Sequence, residues 1–183
     1  VQPIPPGASG ALPDGSADWN QTRDRITRSA DSTIIAAVDE WKQLQQSDGL
    51  GFDAYANFLI AHPGWPGEDR MRRLAETGIN PNSYSPGRVV AFFGRFAPRS
   101  ATGHARYALA LSSLGQSSPA QAEARAAWRS GAMSPEDETR LLSQFASSFT
   151  AADHDAHADA ALWARGAASA ERALPYLSTA ARA

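Results

Sequence analysis

The sequence predicts an all-α chain: an α-superhelix, or solenoid, of stacked antiparallel helix hairpins of tetratricopeptide-like size. Three observations predict it. Apolar residues recur at helical spacing along almost the whole chain, and no stretch alternates as a strand would. The apolar runs are separated by Ser-Pro, Thr-x-x-Asp and glycine breaks, which start and stop helices. Helix pairs open near Ala17, Phe52, Pro86, Pro119 and Ala151, so the restarts are roughly 32 to 36 residues apart, the size of a helix–turn–helix repeat. A short connection within each pair requires antiparallel helices, and stacked pairs can share a core that one pair cannot enclose alone. The units share no consensus, so the repeat rests on helix spacing.

Residues 1–16 are rich in proline and glycine and poor in large apolar side chains, which predicts a disordered lead-in before a superhelical domain over 17–183. A first helix begins near Ala17 with Trp19, Thr22 and Ile26. A second is expected from Asp31, with Ile34, Ile35, Val38, Trp41 and Leu44 on one face, ending at Ser47-Asp48-Gly49. Phe52, Tyr55, Phe58 and Leu59 mark the third, which stops at His62 because Pro63 disfavours helix in the residue before it. Pro66 opens the fourth, with Met71, Leu74 and Ala75 inward and Gly78 at its end.

Residues 79–85 form a polar loop. Ser85-Pro86 starts a helix carrying Val89, Val90, Phe92, Phe93 and Phe96, which Pro98 ends. Ala105, Ala108, Leu109, Leu111 and Leu114 build the next, closed by Gly115 in a left-handed cap. Ser118-Pro119 restarts the chain, with Gln121 placed as a capping-box partner for Ser118. Ser134-Pro135 repeats the device, and Thr150 with Asp153 gives it without proline. After Gly166 a last helix runs to about Ala180, kinked or shortened by Pro175.

Composition excludes several classes. The formal net charge is −2, so no overall basic field attracts nucleic acid. Lys42 is the only lysine, and arginine supplies the rest of the 17 basic residues. Without cysteine there is no disulfide or thiolate metal site. No run of about 18 apolar residues is present, so no membrane span is expected.

Residues 153–159 gather Asp153, His154, Asp155, His157 and Asp159 within two helical turns. His154 and His157 stand at i and i+3 and could share a metal with a carboxylate. A third histidine or cysteine at ligand spacing is missing, and acidic residues belong in a helix's first turn, so no metal or cofactor is assigned. His62 is a turn residue, and His104 has no serine or cysteine partner nearby. Of the five tryptophans, Trp41, Trp128 and Trp163 lie on apolar helical faces and point to core packing; Trp65, between Gly64 and Pro66, is placed to wedge between two helices. Arg70, Arg72 and Arg73 form a basic turn beside Glu68, Asp69 and Glu76, and Arg125 and Arg129 stand at i and i+4. Glu136, Asp137 and Glu138 cluster at a helix N-terminus, where capping accounts for them.

The run from Phe58 through His62, Pro63, Gly64 and Trp65 to Pro66 resembles a segment of the soluble lytic murein transglycosylases. Gly103-His104-Ala105-Arg106-Tyr107, Ala127-Trp128-Arg129 with Gly131, Ser134-Pro135-Glu136-Asp137-Glu138, and Thr150 through Asp153-His154 to Trp163 resemble later segments of that family in the same order. The resemblance covers residues 19–180. It implies a periplasmic protein that works on peptidoglycan glycan strands, in a family that cleaves the β-1,4 bond between N-acetylmuramic acid and N-acetylglucosamine to leave a 1,6-anhydro end. All matching segments belong to that family's α-superhelix, not to its lysozyme-like catalytic domain. The family's catalytic glutamate is followed by serine, and none of Glu40, Glu68, Glu76, Glu123, Glu136, Glu138 and Glu171 is. No catalytic residue carries over. The expected role is a scaffold that holds glycan, or a partner, beside a catalytic lysozyme-like domain supplied in cis or in trans. A helical-repeat module that binds a protein partner, and a His154/His157-centred enzyme, are the other two readings.

Overall fold

A computed structural model describes residues 16–131 and 133–181. The lead-in expected over residues 1–16 lies almost wholly outside the described residues, and Ser16 already belongs to the first helix. The described chain is helical with no strand. Two compact units divide it, Val1–Gln43 and Leu44–Ala183. Within the first, the described element is helix α1, which spans Ser16–Gln46 and ends inside the second unit.

α1 is one helix of 31 residues rather than the two expected on either side of Asp31. The hydroxyls of Ser32 and Thr33 each donate to the carbonyl of Ser29 at 2.9 Å. They bond back into the turn behind them instead of capping a new helix, so the chain runs on. Ile34 and Ile35, expected on the apolar face of a second helix, are exposed on α1, and so is Ile26.

In the second unit, α2 (Phe52–Ala61) and α3 (Glu68–Gly78) pair as a hairpin. α3 starts two residues later than Pro66, after Gly67 in the left-handed region. α4 (Pro86–Arg95) follows, then the hairpin of α5 (Ala101–Ser113) and α6 (Ser117–Arg129). α7 (Pro135–Phe145) continues into a 3-10 turn over Ala146–Ser148, and α8 (Ala151–Trp163) pairs with α9 (Ala167–Ala173). The last helix is cut short: a 3-10 turn over Leu174–Tyr176 contains Pro175, as a missing N–H donor requires.

The helix partners differ from those the restart spacing suggested. The pairs are α2–α3, α5–α6 and α8–α9, opening at Phe52, Ala101 and Ala151, about 50 residues apart; α4 also packs on α5, as the restart at Pro86 leads one to expect, and α7 lies against both α5 and α6. The restart expected at Pro119 opens no pair, because Pro119 lies inside α6, whose main partner α5 precedes it.

α5–α6 and α8–α9 are built alike. Each first helix is capped by a hydroxyl that accepts the N–H three residues on: Ser100 from Gly103 at 2.9 Å, Thr150 from Asp153 at 3.3 Å. Asp153 returns the favour to the Thr150 N–H at 2.8 Å, so the expected capping box is present. Each ends in a left-handed residue, Gly115 at φ 74° and Arg165 at φ 59°. The next N–H then reaches back five residues, Gln116 to Leu111 at 3.0 Å and Gly166 to Ala161 at 2.7 Å. Because Gly115 turns the chain so tightly, α6 begins at Ser117 with Gln116 as its cap residue, and Ser118 caps nothing. Pro119 still falls in the first turn, where its missing donor is harmless.

The main core lies between α5, α6 and α7. Ala105, Ala108, Ala120, Ala124 and Ala127 are buried where α5 meets α6, and Leu111, Trp128, Leu141 and Phe145 close the space. Alanine at each crossing point lets two backbones approach closely, so little side-chain volume is needed to fill the seam. Phe92 of α4 packs edge-on against Phe52 of α2 with ring centroids 5.4 Å apart. Among the described residues no helix is long and apolar enough to cross a membrane.

Candidate functional site

A buried polar cluster sits where α6, α7, α8 and α9 converge. His157 of α8 is 1% exposed, and its ring stacks on Trp128 of α6 with centroids 4.1 Å apart. Its Nδ1 lies 2.8 Å from the Trp128 carbonyl. A carbonyl only accepts, so Nδ1 carries a proton. Nε2 faces Ser169 Oγ of α9 at 3.4 Å and Glu138 Oε1 of α7 at 3.8 Å. Ser169 donates its hydroxyl to Glu138 Oε1 in a short contact. Arg172 of α9 donates from Nε to Glu138 Oε2 at 2.6 Å, and this bond with the carboxylate raises the guanidinium's proton affinity. A cleft of about 60 Å³ opens beside Glu138, His157 and Arg172, room for a few waters.

Serine, histidine and glutamate together invite comparison with a nucleophilic triad. That chemistry needs the acid on one imidazole nitrogen and the serine on the other. Here Glu138 and Ser169 share the Nε2 side, and a main-chain carbonyl holds Nδ1. The serine proton is committed to the carboxylate, and all three side chains are buried. The arrangement binds four helices together through satisfied polar groups, and it offers no activated hydroxyl.

The acidic turn before it therefore does more than cap α7. Ser134 accepts the Asp137 N–H at 3.1 Å, as expected, but each carboxylate also has its own distant or local cation. Glu136 takes Arg140 at 2.8 Å, Asp137 takes the buried Arg106 of α5 at 2.9 Å, and Glu138 takes Arg172. Burial lowers the Arg106 proton affinity, and the neighbouring Asp137 opposes that shift.

His154 and His157 are drawn to different partners. His154 stacks on Tyr176 with centroids 5.0 Å apart, its Nδ1 is buried without a hydrogen bond, and desolvation lowers its proton affinity. Asp153, between the capping box and Arg129, is held below the usual carboxylate range. Burial pushes it up, but the Thr150 hydrogen bonds and the arginines outweigh that. Among the described residues no three His, Cys, Asp or Glu side chains are grouped to hold a metal.

The other singled-out residues are spread over the unit. His104 does have a partner the sequence did not indicate: its Nδ1 lies 2.6 Å from Glu123 of α6, nineteen residues away. Trp65 is half-buried in the α2–α3 turn and packs edge-on against Phe58 at 5.4 Å and against His62 at 5.3 Å. Gly64 N–H donates to Glu68 at 2.8 Å, which closes that turn. Trp128 is buried as expected, whereas Trp163 is 82% exposed and belongs to no core. Arg70 bonds the Leu44 carbonyl and Asp48, Arg72 the Ala97 carbonyl at 2.7 Å, and Arg125 the Ser148 carbonyl at 2.8 Å. These arginines tie loops to helices.

Glu76, which the sequence places beside the basic turn of Arg70, Arg72 and Arg73, turns instead to the start of α5. It is 1% exposed and takes the Arg99 N–H at 2.7 Å and the Ser100 hydroxyl, at the N-terminus of α5. A buried carboxylate there meets free N–H groups and the positive end of the helix. The spacing of Glu76 from Ser100 carries no signal in a linear chain.

Compared with known proteins, the chain matches no family model, no curated protein and no solved structure.

Proposed function

We propose that the hairpins form one α-solenoid and that this solenoid is a non-catalytic scaffold. It would be the superhelical part of a periplasmic lytic transglycosylase, holding peptidoglycan glycan strands beside a lysozyme-like domain in cis or in trans. One observation carries the scaffold reading: a helix hairpin recurs at Phe52, Ala101 and Ala151, with a single helix between successive hairpins. Such a unit buries its apolar side only against its neighbours, which is the physics of a repeat array. The polar groups that chemistry would need are engaged in holding helices, Glu138 on Ser169 and Arg172, Glu76 on Ser100, Asp153 on Thr150. The cell-wall assignment rests on the resemblance of the Phe58–Pro66 run and the later segments.

Two assays test this reading. The purified protein should co-sediment with isolated peptidoglycan sacculi and release no anhydro-muropeptides from them. Absence from the pellet ends the glycan role, and turnover by this chain alone ends the scaffold role. A helical-repeat module that binds a protein is the second reading, favoured by the exposed Leu162 and Trp163.

A further inference from the structure

The ring of His157 meets acceptors on both sides. Nδ1 lies 2.8 Å from the Trp128 carbonyl, which only accepts, so that nitrogen is protonated. Nε2 lies 3.4 Å from Ser169 Oγ and 3.8 Å from Glu138 Oε1. Ser169 has a single hydroxyl proton, and it is committed to Glu138 Oε1, so its oxygen turns a lone pair toward the ring. A neutral imidazole protonated at Nδ1 would set its own Nε2 lone pair against that oxygen and against a carboxylate. His157 is 1% exposed, Glu138 4% and Ser169 5%, so bulk water does not relieve such a contact. A proton on Nε2 removes the conflict. Nε2 then donates to Ser169, and Ser169 to Glu138, in one chain of bonds.

The groups that each neighbouring helix brings to the ring favour that second proton on balance. Glu138 of α7 carries the negative charge, and Arg172 of α9 takes its other oxygen at 2.6 Å, which leaves Oε1 turned to Ser169 and His157. α6 brings the Trp128 ring, stacked on the imidazole with centroids 4.1 Å apart and 19° between the planes, a face that attracts a cation. Against the proton stand burial, the Arg172 guanidinium, and His154 one turn earlier on α8. His154 is the one that yields: desolvation first, and the charge of His157 to a lesser degree, lower its proton affinity. The cleft of about 60 Å³ beside Glu138, His157 and Arg172 gives water, and so protons, a way to the ring.

We propose that His157 is doubly protonated in the folded chain and that this proton latches α9 onto α7 and α8. α9 reaches Glu138 through Ser169 and through Arg172. Loss of the Nε2 proton upsets that arrangement, because Ser169 cannot serve both Nε2 and Glu138 with one hydrogen. If the hydroxyl turns to Nε2, α9 loses its Ser169 bond to α7. If it stays, two lone pairs face each other in a buried site. A proton bound in the folded state and absent from the unfolded one adds stability that is complete below the ordinary histidine value of about 6.5 and is lost as pH rises through the folded value. Rising pH, not falling pH, therefore loosens α9. The latch needs no ligand and is independent of any cell-wall role.

The test follows the whole chain, labelled with nitrogen-15, through a pH series of histidine ring-nitrogen spectra, with the His157 ring assigned from its contact with the Trp128 indole. At about pH 7.5, roughly one unit above the ordinary histidine value, both His157 nitrogens should read as protonated. As pH rises further and Nε2 loses its proton, amide hydrogen exchange at Ser169, Ala170 and Ala173, corrected for the chemical rate at each pH, should speed up by at least about tenfold. Glu138→Gln keeps the shape, removes the charge and should move the ring titration down by at least about one pH unit. The unmodified chain decides the proposal even where that variant fails to fold. An Nε2 that reads as unprotonated at the starting pH, α9 exchange that ignores the ring titration, or a titration unmoved in folded Glu138→Gln would each overturn it.

Discussion

Substituting Gly103 by alanine should strike the chain at its tightest approach. A β-carbon there would lie 2.5 Å from Glu76 Oε2 and 2.6 Å from its carboxyl carbon, far inside van der Waals contact. A flexible carboxylate could normally swing away. Glu76 is 1% exposed and holds the Arg99 N–H and the Ser100 hydroxyl, so moving it strands buried donors at the start of α5. Overpacking of this kind costs about 1–3 kcal/mol, and each lost charge-assisted bond about 1.5–3 kcal/mol. Alanine gains back about 0.5–1 kcal/mol of helix preference over glycine. The net expectation is a loss of about 2 kcal/mol, read from urea unfolding followed by far-ultraviolet circular dichroism. Gly94→Ala in α4 is the control, since nothing lies within 4 Å of a β-carbon there, and it should stabilise by about 0.5–1 kcal/mol. In a Glu76→Ala background the cost of Gly103→Ala should largely vanish. Equal stabilisation by Gly103→Ala and Gly94→Ala would refute the reasoning.

The remaining expectations are simpler. Arg165→Gly should raise stability by about 1 kcal/mol, because Arg165 holds a left-handed φ of 59° where Gly115 does the same work without a side chain; Gly115→Ala should lower it by a similar amount, both read as shifts in thermal midpoint. His154 has a lowered folded proton affinity, so its contribution is complete above 6.5 and is lost as pH falls through the lower folded value. His154→Phe should flatten that part of the stability–pH curve, and an unchanged acid slope would contradict it. Asp137→Ala leaves Arg106 buried and uncompensated and should cost about 3–5 kcal/mol, while Arg106→Met with Asp137→Leu should restore most of it in denaturant titration.

Much of this chain is written locally. Ser100, Ser134, Thr150 with Asp153, and Gly115 act within four residues of themselves, so their helix ends can be read from sequence. Pro63 and Pro175 stop helices for the same local reason. Where two local signals compete, sequence misleads: Ser32 and Thr33 bond back into α1 and no break forms, and Gly115 starts α6 before Ser118 can cap it. Which helices pair was not local. A serine stands before α4, α5 and α7 alike, and only packing decides that α5 takes α6 as its main partner.

The sequence by itself determined the all-helical character and most helix ends, because backbone hydrogen bonding and proline geometry act over a few residues. Tertiary structure alone decided that hairpins recur about every 50 residues, that Glu138, His157, Ser169 and Arg172 meet, and that Trp163 stands in solvent. Burial and charge pairing depend on which distant surfaces come together, and helical periodicity on one element says nothing of what the next element covers.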